Sequence, residues 1–202
     1  MPSVSTLLVF AAASAALVAI PGPNVLFLLA RGVTGGRRVA VVSVLGVETA
    51  TLCFVLAAAL GLTAALASSA MVFAVVRYAG AAYLIWLGLR ALATRTAAAA
   101  PVAAGRRAFR QAFTVGISNP KVALFFLAFL PQFVRPGSGP ASLQVLVLGL
   151  VFLLVATVLD LGWALLAGVI AGWLRRHPAV LHRQRFLSGP VYLGLGVHAA
   201  TS

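Results

Sequence analysis

Acidic residues are almost absent from this chain of 202 residues: Glu48 and Asp160 are the only two. Lysine occurs once, at Lys121. Charged residues make up 8% of the sequence, where a soluble domain carries about 25%. That shortage excludes an ordinary soluble enzyme, and the low polarity excludes a disordered chain. A single cysteine, Cys53, excludes an intrachain disulfide and any CxxC redox or zinc pattern. There is no GxSxG turn, no HExxH helix and no phosphate-binding Gly-Lys-Ser loop. Nothing around the two acids supplies the frame of an intramembrane protease. No enzyme is expected, and no cofactor or metal site.

What is present is apolar surface. Hydrophobic residues make up 62% of the chain. They gather into six runs, roughly 5–30, 39–63, 71–91, 112–134, 143–172 and 186–199. A membrane helix needs about 20 apolar residues, so six spans leave room only for short loops. The fold class is therefore all-α: a polytopic integral membrane protein with six transmembrane helices. The fifth run is long and the sixth short, so tilt or incomplete crossing is expected there. Ala13-Ser14-Ala15 imitates a signal-peptidase site. No positive charge precedes it and the apolar stretch runs on to Ala30, so the first span is read as retained.

Fifteen basic residues give a net charge of +13. In a soluble protein that would suggest nucleic acid, but no nucleic-acid-binding motif accompanies it. The arginines cluster between apolar runs. Counted along the five connections they number three (Arg31 to Arg38), none, five (Arg90 to Arg110), one (Arg135) and four (Arg175 to Arg185). This alternation places the first, third and fifth connections in the cytoplasm. An even number of spans then puts both termini outside it. The Ala/Pro/Gly stretch from Ala97 to Gly105 lies near the midpoint of what reads as one transmembrane domain, 1–202. It divides the chain into a repeat of about 1–93, a linker of about 94–108 and a repeat of about 109–202. Two three-span halves must face opposite ways across the membrane, as in inverted-repeat transporters.

Each half begins with an interrupted span. Pro21-Gly22-Pro23-Asn24 breaks the first, because two residues lack an N–H and a third is conformationally permissive. Freed backbone groups in hydrocarbon need protein, water or ligand partners. The reading is a half-helix junction at a substrate cavity, against a plain kink satisfied by neighbours. Asn119-Pro120-Lys121 breaks the fourth span, with Ser118 and Asn119 suited to cap a helix restarting at Pro120. The positive end of that helix would attract a carboxylate. Lys121, deep in its run, should have a partner or face water, against a residue snorkelling to a nearby interface.

Both acids fall near the centres of their spans. Asp160 shares a helical stripe with Ala156, Ala164, Ala167 and Gly168, so it should face protein. Glu48 shares its face with Thr51 but also with Val44, Leu52 and Val55, which leaves its orientation open. Asp160 and Glu48 are candidates for proton coupling or for binding an ammonium group, against an internal ion pair such as Asp160 with Lys121. Arg77 reads as a snorkelling residue, Tyr83 and Trp86 as packing, and His198 as incidental. Gly168 and Gly172 have the GxxxG spacing of a packing face, within one protomer or in a homodimer; Gly32 and Gly36 straddle an expected loop.

Several motifs together resemble the lysine-exporter (LysE/RhtB) family. They are Pro21-Gly22-Pro23-Asn24 with Arg31-Gly32, then Gly46-Val47-Glu48, Gly80 to Leu84, Leu87-Gly88, and Gly116 to Lys121 continuing through Phe125-Phe126 to Leu130-Pro131-Gln132-Phe133. Their order and spacing cover nearly the whole chain. The resemblance implies a bacterial inner-membrane exporter of a small amino acid or derivative, driven by proton exchange. It carries Pro21, Gly22, Pro23, Asn119, Pro120 and Lys121 over as motif positions, and Asp160 as the fifth-span acid. The implied partners are the amino acid, protons and the lipid bilayer. The rival readings are an exporter of metal ions or another solute, and a non-transporting membrane assembly protein.

Overall fold

The computed structural model describes residues 1–68, 105–135, 137–167 and 169. The expected third and sixth runs lie outside the described residues, with most of the linker. So do Arg77, Tyr83, Trp86, Gly168, Gly172 and His198.

Every regular element among the described residues is helical. Helix α1 spans Val4–Ala19, its N-terminus capped by Ser3, whose hydroxyl accepts from the Thr6 N–H at 3.2 Å. Helix α2 spans Pro23–Ser68. Helix α3 spans Gly105–Ile117 and α4 spans Pro120–Leu124. A π turn, Phe125–Phe129, and a 3-10 turn, Leu130–Phe133, continue α4. Helix α5 spans Ala141–Leu165.

Among the described residues, two helices are long and apolar enough to cross a membrane: Pro23–Gly61 within α2, and α5. A third span results if α3 and the Pro120–Phe133 segment, which meet at 45°, are one broken crossing. At 16 residues, α1 is too short to cross alone.

The expected connection between Arg31 and Arg38 is reduced to a kink at Gly36 between two helical arms. Arginine is a good helix former, and the charge cluster does not interrupt the helix. Only Gly36 leaves helical geometry, with φ +71° and ψ −179°. That left-handed φ is open to glycine and costly for other residues. It divides α2 into a short arm, α2a (residues 23–35), and a long one, α2b (residues 37–68). Likewise α3 starts at Gly105, inside the stretch read as linker, so Arg106 and Arg107 are helical.

The burial pattern inverts that of a soluble protein. Along α5, Gln144, Ala156 and Asp160 are buried while Leu154 and Val158 are more than 60% exposed. Helix α2 packs against both α3 and α5. One core cluster gathers Phe10 of α1, Phe125, Phe126 and Phe129 of the π turn, and Phe152 of α5. Ring centroids there lie 4.9 to 6.3 Å apart, in tilted and edge-on arrangements. The π turn has a local cause in Pro131, which has no N–H to continue the α ladder. The Leu130 N–H bonds the Phe125 carbonyl instead, five residues back. This brings Phe125, Phe126, Phe129 and Leu130 all to the interior.

Candidate functional site

The site begins with the two broken helices. The chain leaves α1 at Ile20, in extended conformation, and restarts at Pro23. In the second break, Asn119 caps α4: its Oδ1 accepts from the Lys121 N–H at 3.1 Å, with Pro120 in the first turn. The breaks touch. Lys121 Nζ donates to the Ile20 carbonyl at 2.9 Å, so the cation of one break satisfies a backbone oxygen released by the other.

Both acids join them. Asp160 on α5 is 3% exposed and attracts Lys121 electrostatically. Glu48 on α2b is buried with Val44, Thr51 and Val55, whereas Leu52 turns outward, which resolves the orientation that spacing left open. The Glu48 and Asp160 carboxyl groups line one cavity and repel each other electrostatically when both are charged. Glu48 Oε1 and Oε2, Asp160 Oδ1 and Asn24 Oδ1 are buried with no donor among the described residues. A proton on either acid would remove that repulsion.

One small cavity collects these groups. Its volume is about 20 Å³, enough for a single water molecule. Gly22, Asn24, Glu48, Asn119, Lys121 and Asp160 line it. Pro21, Pro23 and Pro120 do not; they shape the breaks without facing the space. Thr51 and Ala156, which share helical faces with Glu48 and Asp160, also line it, as does Phe152, which nothing in its local sequence marks out. The cavity is rich in acceptors and holds one cation. It suits a group that brings N–H donors at one end and negative charge at the other.

The family model for LysE-type translocators matches residues 15–202. The chain belongs to that family. It is a family of membrane translocators, not enzymes. An uncharacterized membrane protein of Pseudomonas aeruginosa is 36% identical, covering 92% of this chain and 90% of its own length. The homoserine/homoserine lactone efflux protein of Salmonella typhimurium is 33% identical over 77% of each chain. The leucine efflux protein of Klebsiella pneumoniae is 27% identical over 92% of this chain and 90% of its own. No solved structure matches the chain.

Proposed function

We propose that this translocator exports a small amino acid or close derivative across the bacterial inner membrane in exchange for protons. Its site would be shared by two inverted three-helix repeats, of about 1–93 and 109–202. The observation that carries the reading is the Lys121–Ile20 hydrogen bond, which joins the two helix breaks inside a cavity bearing both acids of the chain.

A zwitterion can insert into that bond. Its carboxylate takes the Lys121 ammonium. Its own ammonium takes the Ile20 carbonyl, with Asn24 Oδ1 and the acids as further acceptors. The backbone donors first expected to hold the carboxylate are mostly spent, since Pro120 has no N–H and that of Lys121 is bound by Asn119. Lys121 is thus the main carboxylate ligand. A proton arriving from outside would settle between Glu48 and Asp160, cancel one charge and release the ammonium. Substrate arriving from inside would displace the proton. The names of the relatives make homoserine and leucine the first substrates to try.

The test is efflux from proteoliposomes loaded with labelled homoserine or leucine, with and without an inward proton gradient. The gradient should accelerate efflux by the wild type, and Asp160→Asn should lose that acceleration while still inserting. Undiminished proton-driven efflux by Asp160→Asn overturns the assigned role. Absence of efflux for every common amino acid overturns the substrate class.

A further inference from the structure

A second cavity, about 880 Å³, opens along α2a and α3. Its walls carry Arg31, Arg106, Arg107 and Arg110, with Gln111 and Thr114. Arg31 is buried; its Nη2 donates to Gln111 Oε1 at 2.7 Å and its guanidinium lies 4.7 Å from the centre of the Phe27 ring. The other three arginines are exposed and occupy the first two turns of α3. That placement is unfavourable in isolation, because a helix N-terminus already carries partial positive charge and α3 has no acid in its first turn. The exposed guanidinium groups of Arg106, Arg107 and Arg110 around one space also repel one another. The only acidic side chains of the sequence, Glu48 and Asp160, both line the other cavity. An anion from outside the chain would supply the compensating charge.

Depth indicates its source. Arg31 lies about 10 Å along α2a from Asn24; Arg110 and Arg106 lie about 14 and 20 Å along α3 from Asn119, at 1.5 Å per residue. The break at Asn119 falls near the middle of the Gly105–Phe133 segment, so these are distances from mid-span. The hydrocarbon half-thickness is about 15 Å, with headgroups some 5–7 Å beyond. The arginines thus straddle the boundary, and Arg106 and Arg107 reach phosphate level. Guanidinium forks match phosphate oxygens. We infer that this cavity holds the phosphate of an anionic phospholipid headgroup, clamped by Arg106, Arg107 and Arg110 above the Arg31–Gln111 floor. Inorganic phosphate shares the chemistry, and the depth of the arginines favours the lipid.

The test uses the purified full chain in neutral detergent. Phosphatidylglycerol, phosphatidylcholine or inorganic phosphate is added, and the reads are lipid retention in native mass spectrometry and thermal unfolding. Phosphatidylglycerol should be retained and should raise the unfolding temperature. Arg107→Gln with Arg110→Gln should weaken its apparent affinity about 25-fold, from about fivefold per arginine near an anionic headgroup. Arg37→Gln with Arg38→Gln makes the same charge change outside the cavity and should leave binding within about twofold of wild type. Arg107→Gln alone, at about fivefold, carries the test if the double variant does not fold. Equal binding of phosphatidylcholine overturns the proposal, as does an equal loss in the Arg37/Arg38 variant. Stabilisation by inorganic phosphate that matches phosphatidylglycerol overturns the lipid as the source.

Discussion

A lysine at the centre of a bilayer costs about 2.5–3.5 kcal/mol on insertion scales. Lys121 is 6% exposed, and the Ile20 carbonyl and Asp160 offset that cost. Lys121→Met removes the cation and leaves two acids side by side. The expected loss is about 3–5 kcal/mol of stability, measured by unfolding in detergent. Combining Lys121→Met with Asp160→Asn should recover part of it, with a coupling of about 0.5–3 kcal/mol; strictly additive losses would mean that the two side chains do not interact. Asn24 behaves oppositely. Its Oδ1 is buried without a donor among the described residues, so Asn24→Leu should raise stability by about 1 kcal/mol while slowing efflux. A variant both less stable and fully active would contradict a binding role. At this scale the sequence was informative about the acids and the lysine, because charge deep in an apolar run has few innocent explanations. It did not disclose the role of Arg31, a motif position that also counts among the loop charges beside Arg37 and Arg38. Its partner Gln111 is 80 positions away, so no local pattern announces the pair. Gln144 is equally unannounced, although its partners are near in sequence: it is buried, and its amide bonds the Arg135 N–H and carbonyl to brace the turn before α5.

Elements meet here at glycines. A Cβ on Gly46 of α2b would stand 2.5 Å from the Phe109 carbonyl oxygen of α3, and one on Gly32 of α2a would stand 2.7 Å from the Ala164 carbonyl oxygen of α5. Backbone cannot yield at such distances without the helices moving apart. Gly46→Ala should therefore cost about 1–3 kcal/mol, whereas Gly162→Ala, which meets nothing within 4 Å, should stay within about 0.5 kcal/mol of wild type. Thermal unfolding of the two variants side by side checks this; equal effects would show that helix approach is not what Gly46 provides. At Gly32 the loop reading, not the GxxxG spacing, hides the packing role. Gly32 and Gly36 looked like loop residues, yet Gly32 is helical and seats α5 while Gly36 alone turns the chain. The helix breaks were legible because proline removes a donor wherever it stands. The π turn was not, since Pro131 was noticed only as part of a motif and not as a missing N–H.

For the molecule as a whole, the bilayer makes the fold class readable. Apolar residues face outward and the polar ones converge, so composition alone separates this chain from soluble folds. Boundaries were less legible, because arginine marks a membrane edge without ending a helix. Arg31 and Arg106 both sit on helices that extend into the positions read as connections, the first of which shrinks to the kink at Gly36. The alternating arginine count yields a topology prediction. Alkaline phosphatase fused after Ser202 should be active and a fluorescent protein there dark, with the reverse for fusions after Ala103. Matching signals at the two positions would refute the six-span count.

The chamber between the broken helices has consequences for turnover. Ligand pockets commonly measure about 300–1,000 Å³, and this one is about 20 Å³. Cargo cannot enter without swelling the protein, so each loading step must displace helices and enlarge the molecular volume. Squeezing should oppose that step: hydrostatic pressure applied to loaded vesicles would brake export more strongly for leucine than for smaller alanine.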